Sequence, residues 1–168
     1  MAKIAMVIAR KDFRDEEYLH PKEEFMQNGH EVITASSWTK ECTGRFGAIV
    51  KPDINLAELL PEDFDALVFV GGGGASEYFD SPIAQGLARK AYREGKVVAA
   101  ICIAPLILSR SGLLQGKKAT VYPDGQEELV RGGAVYTGNI VETDGRIITG
   151  NGPAAARDFA QAVMVQIK

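Results

Sequence analysis

The chain has few of the residues that usually mark a site. Its 168 residues include two cysteines, two histidines and one tryptophan. Cys42 and Cys102 lie far apart and match no metal-binding spacing, so no metal is expected. A disulfide between them stays open, but a reduced intracellular compartment is the simpler reading. There is no excess of charge of one sign: 19 Lys and Arg against 22 Asp and Glu leave a net charge of -3. That gives no electrostatic footprint for nucleic acid. Long hydrophobic runs are also missing. The longest nearly apolar stretch, Val97 to Leu108, is too short to cross a bilayer and contains Pro105, so no membrane association is expected. The N-terminus enters a strand at Lys3 without the charged, apolar and small-residue series of a secretory signal, and a cytoplasmic location is expected. No internal repeat, linker or low-complexity segment is visible. The 46% hydrophobic and 24% charged content is that of a globular protein, and the length suits one domain over 1–168.

What is present centres on Val97 to Pro105. Val97-Val98-Ala99-Ala100-Ile101 is apolar and partly β-branched, as a buried strand is. Cys102 ends that run, and Pro105 follows where a helix has barely begun and a missing N–H costs little. A helix is predicted from Ile103 to Ser111, closed by Gly112. Cys102 then sits on a sharp strand-to-helix turn, the geometry of a nucleophile elbow. Unpaired N–H groups of the first helical turn favour a thiolate there. The plainer alternative is a small buried thiol at a tight turn.

Along the rest of the chain, Lys3–Ile8 reads as a buried strand and Asp15–Asn28 as a helix stopped by Gly29, with Pro21 expected to kink or split it. His30–Ala35 is a second strand, which makes a βαβ opening and predicts a parallel sheet. Gly44 and Gly47 suggest a hairpin within Trp38–Lys51, and Asn55 caps a short helix. Asp65–Val70 is a third strand running into Gly71-Gly72-Gly73-Gly74. Ser81 caps a helix from Pro82 to Arg93. A short strand at Lys118–Val121, a helix at Pro123–Arg131, a hairpin around Asp144-Gly145 and a last helix at Pro153–Ile167 complete the pattern. Alternating strands and helices predict a three-layer α/β/α sandwich with a mostly parallel, flavodoxin-like sheet.

In such sheets ligands bind beyond the carboxyl ends of the strands. Three segments meet there: the acidic loop after the first strand, the glycine run and the elbow. The four glycines lack the G-x-G-x-x-G order of a dinucleotide site. They instead let a backbone N–H approach an atom near Cys102, opposite the N–H of Ile103, as an oxyanion hole requires. Asp12, Asp15 and Glu16 read as the charged start of a surface helix, and Asp124, Glu127 and Glu128 as solvated helix faces. His30 reads as structural. His20 lies three residues after Glu17, on nearly the same helix face. Cys42 reads as a strand-edge residue without a role.

Several pieces in order resemble the ThiJ/PfpI superfamily of intracellular PfpI-type proteases and glyoxalase/deglycase proteins. They are Glu17 four residues before Pro21, Gly29-His30-Glu31-Val32, Phe64-Asp65-Ala66-Leu67-Val68 leading to Gly71-Gly72, Glu94 to Cys102 leading to Pro105, Ser111-Gly112-Leu113-Leu114-Gln115-Gly116, and Gly152-Pro153. The resemblance implies that Cys102 is the reactive cysteine and Glu17 the glutamate that shares a proton with it. It implies that the N–H groups of Gly72 and Ile103 face the site and that the chain forms a homodimer or higher homo-oligomer; the carbonyl chemistry that the residues suit needs no cofactor. It also shows departures. Where the PfpI-type proteases have His after the cysteine, this chain has Ile103. Where some relatives place a later His, it has Tyr122. Where the proteases take a Glu from a neighbouring subunit, it has Ser76 beside Glu77.

With no Cys–His pair, the residues suit a stress-response enzyme acting on small reactive carbonyls, such as methylglyoxal, or on glycated adducts. Cys102 would be its nucleophile and Glu17 its acid/base. Two alternatives stay open: a redox sensor oxidised at Cys102, and a PfpI-type peptidase.

Overall fold

The computed structural model describes residues 1–167. Strand β1 (Lys3–Val7) is buried from Ile4 onward, because β-strands flank it on both edges and helices cover both its faces. Strand β2 (Lys11–Phe13) and helix α1 (Asp15–Gln27) follow. Of the expected kink or split at Pro21, the split does not occur: helix α1 runs through Pro21 as one element. Pro21 is buried on the packed face, and its missing N–H deprives only the carbonyl of Glu17 of a partner. Strand β3 (Glu31–Ser36) pairs in parallel with β1. The expected hairpin is β4 (Cys42–Gly44) with β5 (Ile49–Val50), and β2 pairs with β4 to make a small separate sheet.

Strand β6 (Ile54–Asn55) leads into a short helical turn at which the Asn55 side chain accepts from the Ala57 N–H at 2.9 Å. Next come β7 (Ala66–Phe69) and α2 (Pro82–Arg93), where the Ser81 hydroxyl accepts from the Ala84 N–H at 3.2 Å. Strand β8 (Val97–Ile101) is followed by α3 (Pro105–Arg110), shorter than the helix predicted over 103–111. Residues 102–104 form a turn ahead of it. Strand β9 (Lys118–Ala119), α4 (Gln126–Arg131) and β10 (Val135–Tyr136) come next, and the β9–β10 pairing had no sequence signal. Strands β11 (Val141–Asp144) and β12 (Ile147–Gly150) form the predicted hairpin, and α5 (Ala156–Gln166) closes the described chain.

The main sheet runs β11-β12-β8-β7-β1-β3-β6, parallel throughout except for β11. Helices α1 and α5 pack together and against the sheet, and α2 and α3 form a second such pair. The fold is thus the predicted mostly parallel α/β sandwich. After β1 the chain moves to β3 on one side, and after β7 it moves to β8 on the other. The crevice for a ligand opens at such a reversal, beyond the carboxyl ends of β1 and β7. Buried Tyr78 braces it: its hydroxyl donates to the Ile8 carbonyl at 2.7 Å and accepts from the Ser37 N–H at 3.1 Å. Among the described residues, no helix is long and apolar enough to cross a membrane.

Candidate active site

Cys102 is the residue that leaves β8, and its φ is +65°. A non-glycine side chain adopts that left-handed conformation only where its surroundings enforce it. Here both peptide groups of Cys102 are held. Its N–H donates to the Gly150 carbonyl at 2.9 Å, and its carbonyl accepts from the Tyr122 N–H at 2.7 Å. The thiol is 8% exposed at the base of a cavity of about 360 Å³. Gly72, Gly73, Ile103 and Tyr122 line that cavity with it, and Arg14, Arg45 and Asp124 form its rim.

The acidic segment 12–17 divides by the direction of each side chain. Arg14 precedes α1 and accepts the Glu17 N–H on its carbonyl, which turns Glu17 inward. Glu17 is fully buried, and neither carboxyl oxygen has a hydrogen-bond partner of ordinary geometry. Its nearest polar neighbours are the Cys102 thiol and the Gly71 N–H. Asp15 is also buried, against the surface reading: its two oxygens accept from the N–H groups of Phe46 at 2.9 Å and Ala48 at 2.8 Å. Glu16 turns outward and chelates Arg14, and Asp12 lies 3.6 Å from Arg45.

Burial dominates the electrostatics. It pushes the Glu17 carboxyl from 4.5 up to about 8, against the opposing influence of the neighbouring Cys102 thiol and the Arg14 charge. The Cys102 thiol is likewise pushed up, to about 12, first by burial and then by Glu17. The N–H groups of Gly72 and Ile103 favour the thiolate but do not outweigh burial. The thiolate expected from the helix start is therefore not the resting state: α3 begins three residues later, at Pro105, which has no N–H. Both shifts favour the uncharged form of the pair. Loss of one proton leaves a single charge shared between sulfur and carboxyl.

A close approach permits this pair. A Cβ on Gly71 would sit 2.5 Å from the Cys102 Cβ, from Glu17 Oε1 and from the Ile101 carbonyl oxygen. Sequence reasoning singled out Gly72 and passed over Gly71, although the glycine run was the signal. It also passed over Arg14 and Arg45, which line the cavity, and Phe46, whose ring lies beside both guanidinium groups. Asp124, read as a solvated helix face, stands on the rim.

Of the other candidates, Tyr122 reaches the cavity and three do not. His20 is half-buried on α1 outside the lining. Ser76 and Glu77 line a separate cavity with Arg10, Lys11 and Trp38, because Glu77 turns toward Arg10 and Ser37. His30 lies elsewhere, its Nδ1 accepting from the Ala2 N–H at 3.0 Å. No histidine lines the Cys102 cavity, and no His/Cys/Asp/Glu cluster fit for a metal occurs among the described residues.

Other proteins share this arrangement of strands. A ThiJ/PfpI domain protein from Brachyspira murdochii superposes with a TM-score of 0.96 at 30% identity, over 98% of this chain and 95% of that one. The DJ-1beta structure of Drosophila melanogaster gives a TM-score of 0.90 at 29% identity, over 99% and 91%. In sequence, the chain is 42% identical over 170 residues to an uncharacterized protein of Methanocaldococcus jannaschii, covering 99% of this chain and 83% of that protein. It is 34% identical over 148 residues to the deglycase PfpI of Pyrococcus furiosus, covering 88% and 89%. The DJ-1/PfpI family model matches residues 2–166, so the elbow, the glycine run and the start of α1 all lie within the match, and the chain belongs to the DJ-1/PfpI family.

Proposed function

We propose that this protein is a glutathione-independent enzyme for small reactive carbonyls, of which methylglyoxal is the simplest, or for their early adducts. The observation that carries this reading is the buried Glu17 carboxyl, without a partner of its own, set against Cys102 at the base of a cavity sized for a small molecule. The deglycase names of relatives at 30–35% identity agree with it. It uses no metal and no cofactor.

The chemistry starts from the singly deprotonated pair. Glu17 takes the thiol proton, and sulfur adds to the aldehyde carbon of the 2-oxoaldehyde. The N–H groups of Gly72 and Ile103 receive the charge that develops on oxygen, and Glu17 returns its proton to give a hemithioacetal. Glu17 then removes the proton on the former aldehyde carbon and delivers it to the neighbouring carbon, while the hydroxyl proton passes to the former ketone oxygen, so the enediol intermediate collapses to a thioester. Water hydrolyses the thioester, freeing the thiol and a 2-hydroxy acid. The aldehyde carbon is oxidised and the ketone carbon reduced within one molecule, so no external oxidant is consumed.

Conversion of methylglyoxal to lactate without glutathione tests this, in a Cys42→Ser background. Replacing Cys102 by Ser is expected to remove turnover to the level of the buffer. Activity that survives the replacement would sink the reading.

The same pair supports a second reading as a peroxide sensor. Protonated Glu17 has no acceptor in the thiol state. A sulfinate at Cys102 would supply one, formed from the thiol and two molecules of peroxide with release of two waters. Mild peroxide is then expected to add two oxygens at Cys102 and none at Cys42, as read by peptide mass, with a rise in Tm. Equal oxidation of both thiols would count against it. A peptidase of the Cys–His kind would need a histidine that this cavity does not hold, and an oligomer would be its place to find another partner. We also propose a homo-oligomer in the cytoplasm as the working state, to be checked by light scattering and fractionation.

A further inference from the structure

The rim of the Cys102 cavity is more organised than carbonyl chemistry alone requires. Residues 45–48 form the turn between β4 and β5, and buried Asp15 holds that turn through the N–H groups of Phe46 and Ala48. Gly44 makes the hold possible, since a Cβ there would lie 2.5 Å from Asp15 Oδ1. The anchored turn presents Phe46, which is 63% exposed, between two cations: the Arg14 guanidinium 4.9 Å and the Arg45 guanidinium 6.0 Å from its ring centre. Both arginines line the cavity. Phe46 does not itself line the cavity; its ring lies beside the two guanidinium groups that do.

The donors left on these arginines matter. Glu16 occupies Nε and Nη2 of Arg14, leaving Nη1 without a partner. Arg45 makes no side-chain hydrogen bond among the described residues: Asp12 is an ion-pair neighbour at 3.6 Å, beyond hydrogen-bond length. Asp124 also lines the cavity, so its wall carries two cations and one carboxylate. Each arginine already faces one carboxylate, so a monoanion suits the remaining field better than a dianion does.

We propose that Arg14 and Arg45, whose guanidinium groups lie against the Phe46 ring, form a carboxylate-recognition subsite that selects what reaches Cys102. Its substrate class follows from the carbonyl chemistry proposed above: 2-oxoaldehydes bearing a carboxylate a few bonds from the carbonyls, in preference to methylglyoxal. The ketone and aldehyde sit over Cys102 and Glu17, and the carboxylate takes the free guanidinium donors. For 4,5-dioxopentanoate the reaction adds one water and yields 2-hydroxyglutarate, by the internal redox exchange already described.

Two readouts on the Cys42→Ser protein test the subsite and keep it separable from the carbonyl reading. The first is alkylation of Cys102 by iodoacetate against iodoacetamide, in which sulfur displaces iodide and the thiol proton goes to water. The iodoacetate-to-iodoacetamide rate ratio is expected to exceed that of glutathione by about ten-fold at low salt and to fall as salt rises. Arg45→Gln, at a half-exposed position, should bring the ratio down several-fold, and Arg14→Gln should act in the same direction. Lys90→Gln, on α2 outside the cavity lining, should leave it unchanged. The second readout is kcat/KM for 4,5-dioxopentanoate against its neutral counterpart 2-oxopentanal, where Arg45→Gln should raise KM for the anion alone. A ratio equal to that of glutathione, or one lowered as much by Lys90→Gln as by Arg45→Gln, overturns the subsite. So does turnover of both aldehydes without preference, which would leave the carbonyl reading intact. Anion-selective alkylation without turnover of either aldehyde supports the subsite and sinks the carbonyl reading.

Discussion

Replacing Glu17 by Gln is expected to lower kcat/KM for carbonyl turnover by about 10²- to 10⁴-fold, the range spanned by a positioned general acid/base. The wild-type rate should also rise with pH toward a plateau above about 8, where the Cys102–Glu17 pair has lost its first proton. In the Gln variant that limb should vanish, because an amide neither takes the thiol proton nor moves one between carbons. A stability measurement reads the same residue independently of any substrate. Below pH 4.5 the folded and unfolded chains both hold the Glu17 proton. Between 4.5 and about 8 only the folded chain holds it, so the unfolded state binds fewer protons and stability falls as pH rises. At about 1.4 kcal/mol per unit, the loss across this window approaches about 4 kcal/mol. Urea unfolding from pH 5 to pH 8 should therefore show a steeper decline for the wild type than for Glu17→Gln. Equal slopes would mean that Glu17 is ionised in the fold, and the proton shuttle would lose its basis.

Gly71→Ala should be nearly as damaging, through space alone. The added methyl would lie 2.5 Å from the Cys102 Cβ, from Glu17 Oε1 and from the Ile101 carbonyl oxygen. Two of these neighbours belong to β8 and the elbow, which are locked by the bonds from Cys102 to Gly150 and Tyr122. The Glu17 side chain is the only one of the three free to move. It should be pushed off the thiol, at a cost of about 1–3 kcal/mol in stability. Turnover should fall nearly as far as in Glu17→Gln, and the pH limb should shift. Gly71→Ala with full activity would show that the close contact between carboxyl and thiol is dispensable.

Much of the architecture was legible without coordinates. The boundaries of α2 follow from Ser81, Pro82 and Gly95, and the structure places the helix at Pro82–Arg93 as predicted. The turn at Cys102 could be read from an apolar strand stopped three residues before a proline. The β9–β10 pair was missed because two-residue strands have no periodicity to detect. Pro21 misled for another reason. A proline breaks a helix that stands alone, whereas burial of its ring within the packed chain offsets the one lost hydrogen bond.

The site divides along the same line. Local signals are enough to raise a thiol on an elbow beside a glycine run, since strand pattern, capping and turn chemistry depend only on neighbours in the chain. They cannot say which carboxylate of Asp12, Asp15, Glu16 and Glu17 meets that thiol. Successive residues of a helical first turn point about 100° apart, a consequence of 3.6 residues per turn. Their fates are set by what lies against each face: the hairpin takes Asp15, the solvent side takes Glu16, and Cys102 with Gly71 takes Glu17. Resemblance to a family had pointed to Glu17, but its proton had not. Whether a helix start lowers a thiol's pKa or burial raises it depends on how completely water is excluded by segments far apart in sequence, and here exclusion wins. The amino-acid order thus settled where the candidate nucleophile stands in the chain, because that is a matter of local conformation. Its charge state, its partner and the cationic rim came only with the tertiary fold, because desolvation and close approach are properties of residues brought together from 12–17, 44–48, 71–73 and 102–103.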